Sequence, residues 1–255
     1  MFNSRIKPSF LIIGAQKAGT SSLFRYLSQH PHIRLPASKE LHFFDMQYQR
    51  SINWYEGLFP KRKFLSRQIT GEASPYYLFH PLAPKRVNEH YPDIRLIVLL
   101  RNPVDRAYSH FNMERNRGNE PEVSFMRAVE LEASRIFDEE QQIRQGIIQS
   151  GCKFQNWSYM RRGLYGQQVA DWQKFFRSKQ FIFIKSEDFY TDTVHELERI
   201  HEFLRIPHVP PVDISPVNTN RYPDLLSSER KKLEEYFRED GLLLQQLIGT
   251  HFSWF

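Results

Sequence analysis

The stretch Ser9-Phe-Leu-Ile-Ile-Gly-Ala-Gln-Lys-Ala-Gly-Thr-Ser-Ser22 decides how this chain is read. Ser9–Ile13 is a short apolar run that predicts a buried strand, and Thr20–Gln29 predicts a helix stopped near Pro31. Leu23, Phe24 and Leu27 fall on one face of that helix. The loop between strand and helix, from Gly14 to Gly19, then faces a helix N-terminus. Backbone N–H groups and the helix dipole attract an anion there. Gly14 and Gly19 permit close approach and unusual φ angles, Thr20 and Ser21 supply hydroxyl donors, and Lys17 places a positive charge inside the loop. The backbone of Ala18 belongs to the same cradle.

This loop departs from an ATP-binding loop. The Walker pattern puts lysine directly after the second glycine, where this chain has Thr20. ATP-hydrolysing P-loop enzymes also carry an acidic magnesium ligand at the end of a later strand. Ile94–Leu100, the strongest strand pattern in the chain, ends instead in Arg101. A cation there suits a second phosphate, so the site reads as one for an anionic nucleotide with no metal. Asn102 is placed to cap a helix with Pro103 at its first position, running to about Arg117. Arg101, at the carboxyl end of the strand, and Ser109, two turns along the helix, together suit one phosphate. The ordinary alternative pairs Arg101 with Asp105.

Outward from these motifs the chain alternates strand and helix. Ile33–Leu35 and Ile69–Glu72 are short strand patterns, and Phe181–Ile184 is another. Helical patterns cover Trp54–Phe59, Pro84–His90, Ser124–Ile136, Tyr165–Arg177, Val194–Leu204, Ser228–Phe237 and Leu242–Ile248. Residues 138–162 carry no clear pattern, and Pro207–Pro223, with five prolines, is a loop. Alternation of this kind predicts an α/β fold, a three-layer sandwich with a central parallel sheet flanked by helices. No repeat or linker divides residues 1–255, which are expected to form a single domain.

Composition narrows the function classes. Hydrophobic residues make up 40% and charged residues 25%, enough for a packed core. The net charge of +6 favours anionic partners. The one cysteine, Cys152, excludes an intramolecular disulfide and is expected to be an unremarkable thiol in a reducing compartment. No run reaches the length of a membrane span and no signal-peptide core is present, so a cytoplasmic protein is expected.

At Gly14–Ser22 together with Arg101 and Ser109, the sequence resembles the sulfotransferases that use 3′-phosphoadenylyl sulfate. The resemblance is to the heparan sulfate N- and O-sulfotransferases and their bacterial relatives. Lys39-Glu-Leu-His-Phe-Phe-Asp45, Trp54–Pro60, Gly71-Glu-Ala-Ser-Pro-Tyr-Tyr77, Tyr165–Trp172 and Asn218-Thr-Asn-Arg-Tyr-Pro223 extend it over nearly the whole chain. It implies a P-loop-like fold, that donor as co-substrate and 3′,5′-adenosine bisphosphate as product. It makes Lys17 the lysine that contacts the transferring sulfuryl group, Glu40 the base that activates the acceptor, and Arg221, flanked by Asn220 and Tyr222, the basic residue of a late loop closing over the donor. That loop usually reads Lys-Gly-Arg and here reads Thr219-Asn-Arg221. Ala73 stands where the glycan subgroup often has lysine, and the subgroup's disulfide is missing.

The residues themselves carry a base reading as well. Sulfuryl transfer, by analogy with phosphoryl transfer, needs in-line geometry and charge stabilisation. Glu40 and His42 lie two apart, so in an extended segment their side chains share a face. Glu40 is the first choice for base and His42 the second; otherwise Glu40 pairs with Lys39 and His42 is a structural histidine. Lys17 would stabilise charge on the leaving group. Trp54, Tyr76, Tyr77, Tyr165 and Trp254–Phe255 are candidates to stack on sugar or adenine, and Lys61-Arg-Lys63 to meet an acidic acceptor. The expected acceptor is a carbohydrate or small-molecule alcohol, or an amine. Nucleic acid is not an expected partner, since basic residues are scattered and no nucleic-acid motif appears. Two rival readings make different predictions: a small-molecule P-loop kinase requires magnesium-dependent ATP turnover, and a polyanion-binding module requires salt-sensitive oligonucleotide binding without turnover.

Overall fold

The structure, a computed structural model, describes residues 5–62, 67–217 and 222–254. Four parallel strands form its centre: β1 (Phe10–Gly14), β2 (Gly71–Ala73), β3 (Arg95–Leu100) and β4 (Phe181–Lys185), in the order β2-β1-β3-β4. β1 and β2 are buried throughout, and β3 at every residue after Arg95. β1 and the buried part of β3 are apolar without alternation because helices cover both faces. This is the parallel α/β sandwich that the alternating pattern predicts, in the P-loop-like form that the resemblance implies.

Around the sheet run α1 (Thr20–Ser28), α2 (Ile52–Gly57), α3 (Ala83–His90), α4 (Pro103–Asn116), α5 (Phe125–Arg144), α6 (Cys152–Trp157), α7 (Tyr165–Gln173), α8 (Ser186–Thr191), α9 (Thr193–Leu204) and α10 (Ser227–Ile248). The cap on α4 is the expected one: the Asn102 side chain accepts the N–H groups of Val104 and Asp105 at 3.0 and 3.3 Å. Among the described residues no helix is long and apolar enough to cross a membrane.

Several expectations are revised. Ile33–Leu35 contributes a single parallel bridge, Ile33 to Ile69, rather than a strand. The unpatterned 138–162 region is largely helical: α5 continues to Arg144 because Glu140 and Ile143 are buried, and α6 packs against it. The two closing helices are one, α10, uninterrupted at Gly241. The reason is tertiary. Asp240 accepts the N–H groups of Gly166 and Gln167 at 2.8 and 3.0 Å, capping the first turn of α7 from the side. That contact fixes α10 across a glycine that would otherwise weaken it. Cys152 is exposed.

All four strands end at one edge of the sheet. Because β1 lies between β2 and β3, the loop after β1, the turn after β2 and Arg101 after β3 come together there. Open parallel sheets bind ligands at this edge.

Candidate active site

A cavity of about 1100 Å³ opens at that edge. On one side it is lined by Lys17, Gly19, Thr20, Ser21, Arg101 and Ser109, on the other by Lys39, Glu40, His42, Pro75 and Tyr76. The two motif groups singled out in the sequence therefore face one space.

In the loop after β1 the left-handed φ angles fall on Lys17 (72°) and Gly19 (100°), not on Gly14. Gly14 is required for another reason: a Cβ there would lie 2.5 Å from that of Leu78. Gly14 and Ala18 do not line the cavity; Ala18 is buried in the core and its N–H bonds to Ala15 O at 3.1 Å. Among the described residues the Lys17 ammonium finds only the Met113 thioether, at 3.8 Å. Burial, followed by the charges of Arg101 and Arg117, pulls its pKa down. A cation so placed gains from any anion that enters.

Arg101 does not pair with Asp105. It donates to the Lys17 carbonyl at 3.2 Å, while Asp105 binds Arg230 at 2.6 Å. The end of β3 thus braces the anion loop directly. Ser109, on the cavity face of α4, lies close by in the lining. Of the late loop, Asn220 and Arg221 lie outside the described residues; Tyr222 lines the cavity, its ring edge-on to Tyr108 with centroids 6.2 Å apart.

The segment that leads to that loop is strapped along α1. Ser22 Oγ accepts from Val217 N at 3.0 Å, and Tyr26 donates to Ile214 O at 2.7 Å. Gln29 exchanges two bonds with the Asp213 main chain, at 2.8 and 2.9 Å, and Arg25 pairs with the Asp213 carboxylate. Positions 22, 25, 26 and 29 recur at helical spacing, so one face of the helix carries the strap while its N-terminus faces the cavity. Ile214, Pro216 and Val217 form part of the cavity wall.

On the opposite side Glu40 and His42 meet, although not through an extended backbone. Both have left-handed φ, 63° and 52°, a conformation that costs a non-glycine residue on the order of 1 kcal/mol. Glu40 contacts both Lys39 and His42; its Oε2 lies 3.4 Å from His42 Nε2. His42 Nδ1 bonds to the buried Asp45 carboxylate at 2.8 Å. Burial alone would lower the His42 pKa, but hydrogen bonds and charge from Asp45 and Glu40 outweigh it and raise the imidazole to about 10. Burial would likewise raise Glu40, yet His42 and Lys39 hold its carboxyl down at about 2. At neutral pH Glu40 is a carboxylate and His42 an imidazolium.

Of the aromatic candidates among the described residues, only Tyr76 lines the cavity. Tyr77 and Tyr165 are core residues, Trp54 packs near Phe43, Trp254 stacks on Phe252, and Phe255 lies outside the described residues. Lys61 and Arg62 are exposed away from the lining, and Lys63 is not described. The sequence reading missed Arg162. Its buried guanidinium lies over the Tyr76 ring at 4.6 Å and donates to Gln16 Oε1 at 2.6 Å on the cavity wall. Nothing in the unpatterned stretch around it marked it out. Tyr190, whose hydroxyl lies 3.3 Å from Ser22 Oγ, was missed too, since α8 has no sequence signature.

With this geometry in view, comparison with known proteins gives the class. The family model described as "Sulfotransferase domain" matches residues 7–234, and the chain belongs to that family. Mouse heparan sulfate glucosamine 3-O-sulfotransferase 6 is 35% identical over 202 residues, which are 79% of this chain but 53%, about half, of that protein. The human protein of the same name is 29% identical over 97% of this chain and 73% of its own length. Among solved structures, a sulfotransferase from Alicyclobacillus acidocaldarius superposes with a TM-score of 0.79 at 32% identity, covering 97% of this chain and 98% of its own.

Proposed function

We propose that residues 1–255 form a single sulfotransferase domain that moves a sulfuryl group from 3′-phosphoadenylyl sulfate to a hydroxyl acceptor, a carbohydrate or small alcohol, with an amine as the variant. The observation that carries this reading is the convergence of the Lys17 loop, Arg101 and the Glu40–His42 pair on one cavity. Gly19, Thr20, Ser21 and Lys17 suit the 5′-phosphosulfate, and Arg101 with Ser109 the 3′-phosphate. An arginine at the end of β3 is the wrong group for a magnesium ligand, which weighs against a kinase. The heparan sulfate glucosamine 3-O-sulfotransferases named above favour a carbohydrate acceptor.

In the reaction the acceptor oxygen attacks sulfur in line, forming the new S–O bond. The bond from sulfur to the phosphate oxygen breaks, and 3′,5′-adenosine bisphosphate leaves with the electron pair. Lys17 neutralises charge building on that oxygen. The acceptor proton passes to Glu40. A carboxylate held near pKa 2 is a weak base, but the attacking hydroxyl becomes strongly acidic as its bond to sulfur forms, so a weak, well-placed base suffices. His42, already carrying its proton, orients and charge-balances Glu40 instead of acting as the base.

Calorimetric titration with 3′,5′-adenosine bisphosphate, against ATP with magnesium, tests the reading. Tight metal-free binding that Arg101→Ala weakens supports it and warrants an acceptor screen. Absence of that binding, or a preference for ATP with magnesium, overturns it.

A further inference from the structure

Glu40 and His42 hold left-handed backbone conformations that their residue types disfavour, so the surrounding structure must impose them. The restraint lies on and just after β2. Glu72 is fully buried, and no cation forms a salt bridge with it among the described residues. Its carboxylate accepts three hydroxyl groups: Ser74 at 2.7 Å, Tyr77 at 2.6 Å and Tyr55 at 3.2 Å. Two of these hydroxyls accept main-chain N–H groups in turn, His42 N to Ser74 Oγ at 3.1 Å and Phe43 N to Tyr77 Oη at 2.9 Å. Glu40 N bonds to Ala73 O, beside Glu72, at 3.0 Å.

The direction of every bond in this network is set by chemistry. A hydroxyl has a single hydrogen. Once the oxygens of Ser74 and Tyr77 accept the N–H groups of His42 and Phe43, their hydrogens must go to Glu72. Burial raises the Glu72 pKa, while the Tyr77 and Ser74 hydroxyls favour its ionised form, which only accepts and satisfies both at once. Burial raises the hydroxyl pKa values of Tyr55 and Tyr77 far above their usual range, so both remain donors.

We propose that Glu72 is a positioning residue for the reaction: its carboxylate polarises the Ser74 and Tyr77 hydroxyls into a clamp on the main chain at His42 and Phe43, which keeps Glu40, His42 and Asp45 in contact. The proposal rests on the reading of Glu40 as the base. It gives a buried acid with no place in the donor site a defined task.

The test is Glu72→Gln, which keeps the shape and one acceptor oxygen but turns an amide donor toward one of the two hydroxyls, where an acceptor is needed. In protein labelled with 15N-histidine, the wild-type His42 ring should stay protonated through pH 8. In Glu72→Gln its pKa should fall by at least one unit toward the ordinary 6.5. The affinity for 3′,5′-adenosine bisphosphate should stay within twofold of wild type, because the donor loop is untouched. Ser74→Ala and Tyr77→Phe, each removing one arm of the clamp, should move His42 in the same direction and serve if Glu72→Gln does not fold. An unchanged His42 titration in folded variants overturns the proposal. So does a His42 shift accompanied by an equal loss of bisphosphate affinity, which would make Glu72 a general structural residue. If wild type itself fails to bind the bisphosphate, the sulfotransferase reading falls, and the His42 titration still decides the clamp.

Discussion

The two sides of the cavity are built by opposite means. On the side proposed for the donor, residues 14–21 form one local strand–loop–helix turn, with Arg101 and Ser109 joining it from further along the chain. The side proposed for the base is assembled from a distance. His42 is held by Ser74, 32 positions later, and Phe43 by Tyr77, 34 positions later. A motif that carries its own geometry tolerates changes elsewhere in the chain. A strained segment clamped by other elements depends on every link, so injuries to the two sides should separate binding from chemistry.

The largest effects should mark that separation. Glu40→Gln is expected to slow turnover roughly 10³-fold while bisphosphate affinity stays near wild type; a collapse of affinity instead would move Glu40 to the donor side. Lys17→Ala should cut turnover by roughly 10²–10³-fold, since it removes the loop's only lysine. Single-turnover rates with an active acceptor measure both. Arg101→Ala should weaken bisphosphate binding by about 30-fold, the scale of one charge-assisted contact, with calorimetry as the readout.

Acidity and alkalinity should strike different sides. His201 packs beside His30 and His208 where the strap over α1 begins, and burial, with the neighbouring histidines, lowers its pKa to about 4. The unfolded chain takes up a proton near pH 6.5 that the folded state refuses. His201 thus contributes stability above pH 6.5 that is lost as pH falls toward 4, on the order of 1.4 kcal/mol per unit. His42 has the reverse sign. Its raised pKa contributes stability fully present below pH 6.5 and lost as pH rises toward 10. Thermal melts of wild type, His201→Gln and His42→Gln across pH 4.5–9.5 would check both slopes. The smallest effect is reserved for Gln29→Ala. It touches nothing in the cavity but removes two bonds that hold the strap, and bisphosphate affinity should drop about fivefold. Unchanged affinity would show that the strap only fills space.

The sequence by itself determined the parallel sheet and the loop after β1, because both are written in contiguous residues: apolar strands, a glycine-bearing turn, an asparagine–proline helix start. It also brought Glu40 and His42 forward, though by assuming an extended segment, and their meeting comes instead from left-handed turns. Only the tertiary structure decided that Arg101 braces Lys17 rather than pairing with Asp105, which Arg230 occupies from 125 positions away. The same holds for the continuity of α10, which a side-on cap to α7 secures, and for Arg162 and Glu72 as parts of the site. The physical reason is common to all of these. Backbone preference acts over a few residues, whereas a hydrogen bond or a buried charge chooses its partner by proximity in the folded chain, and that proximity is a property of the packing.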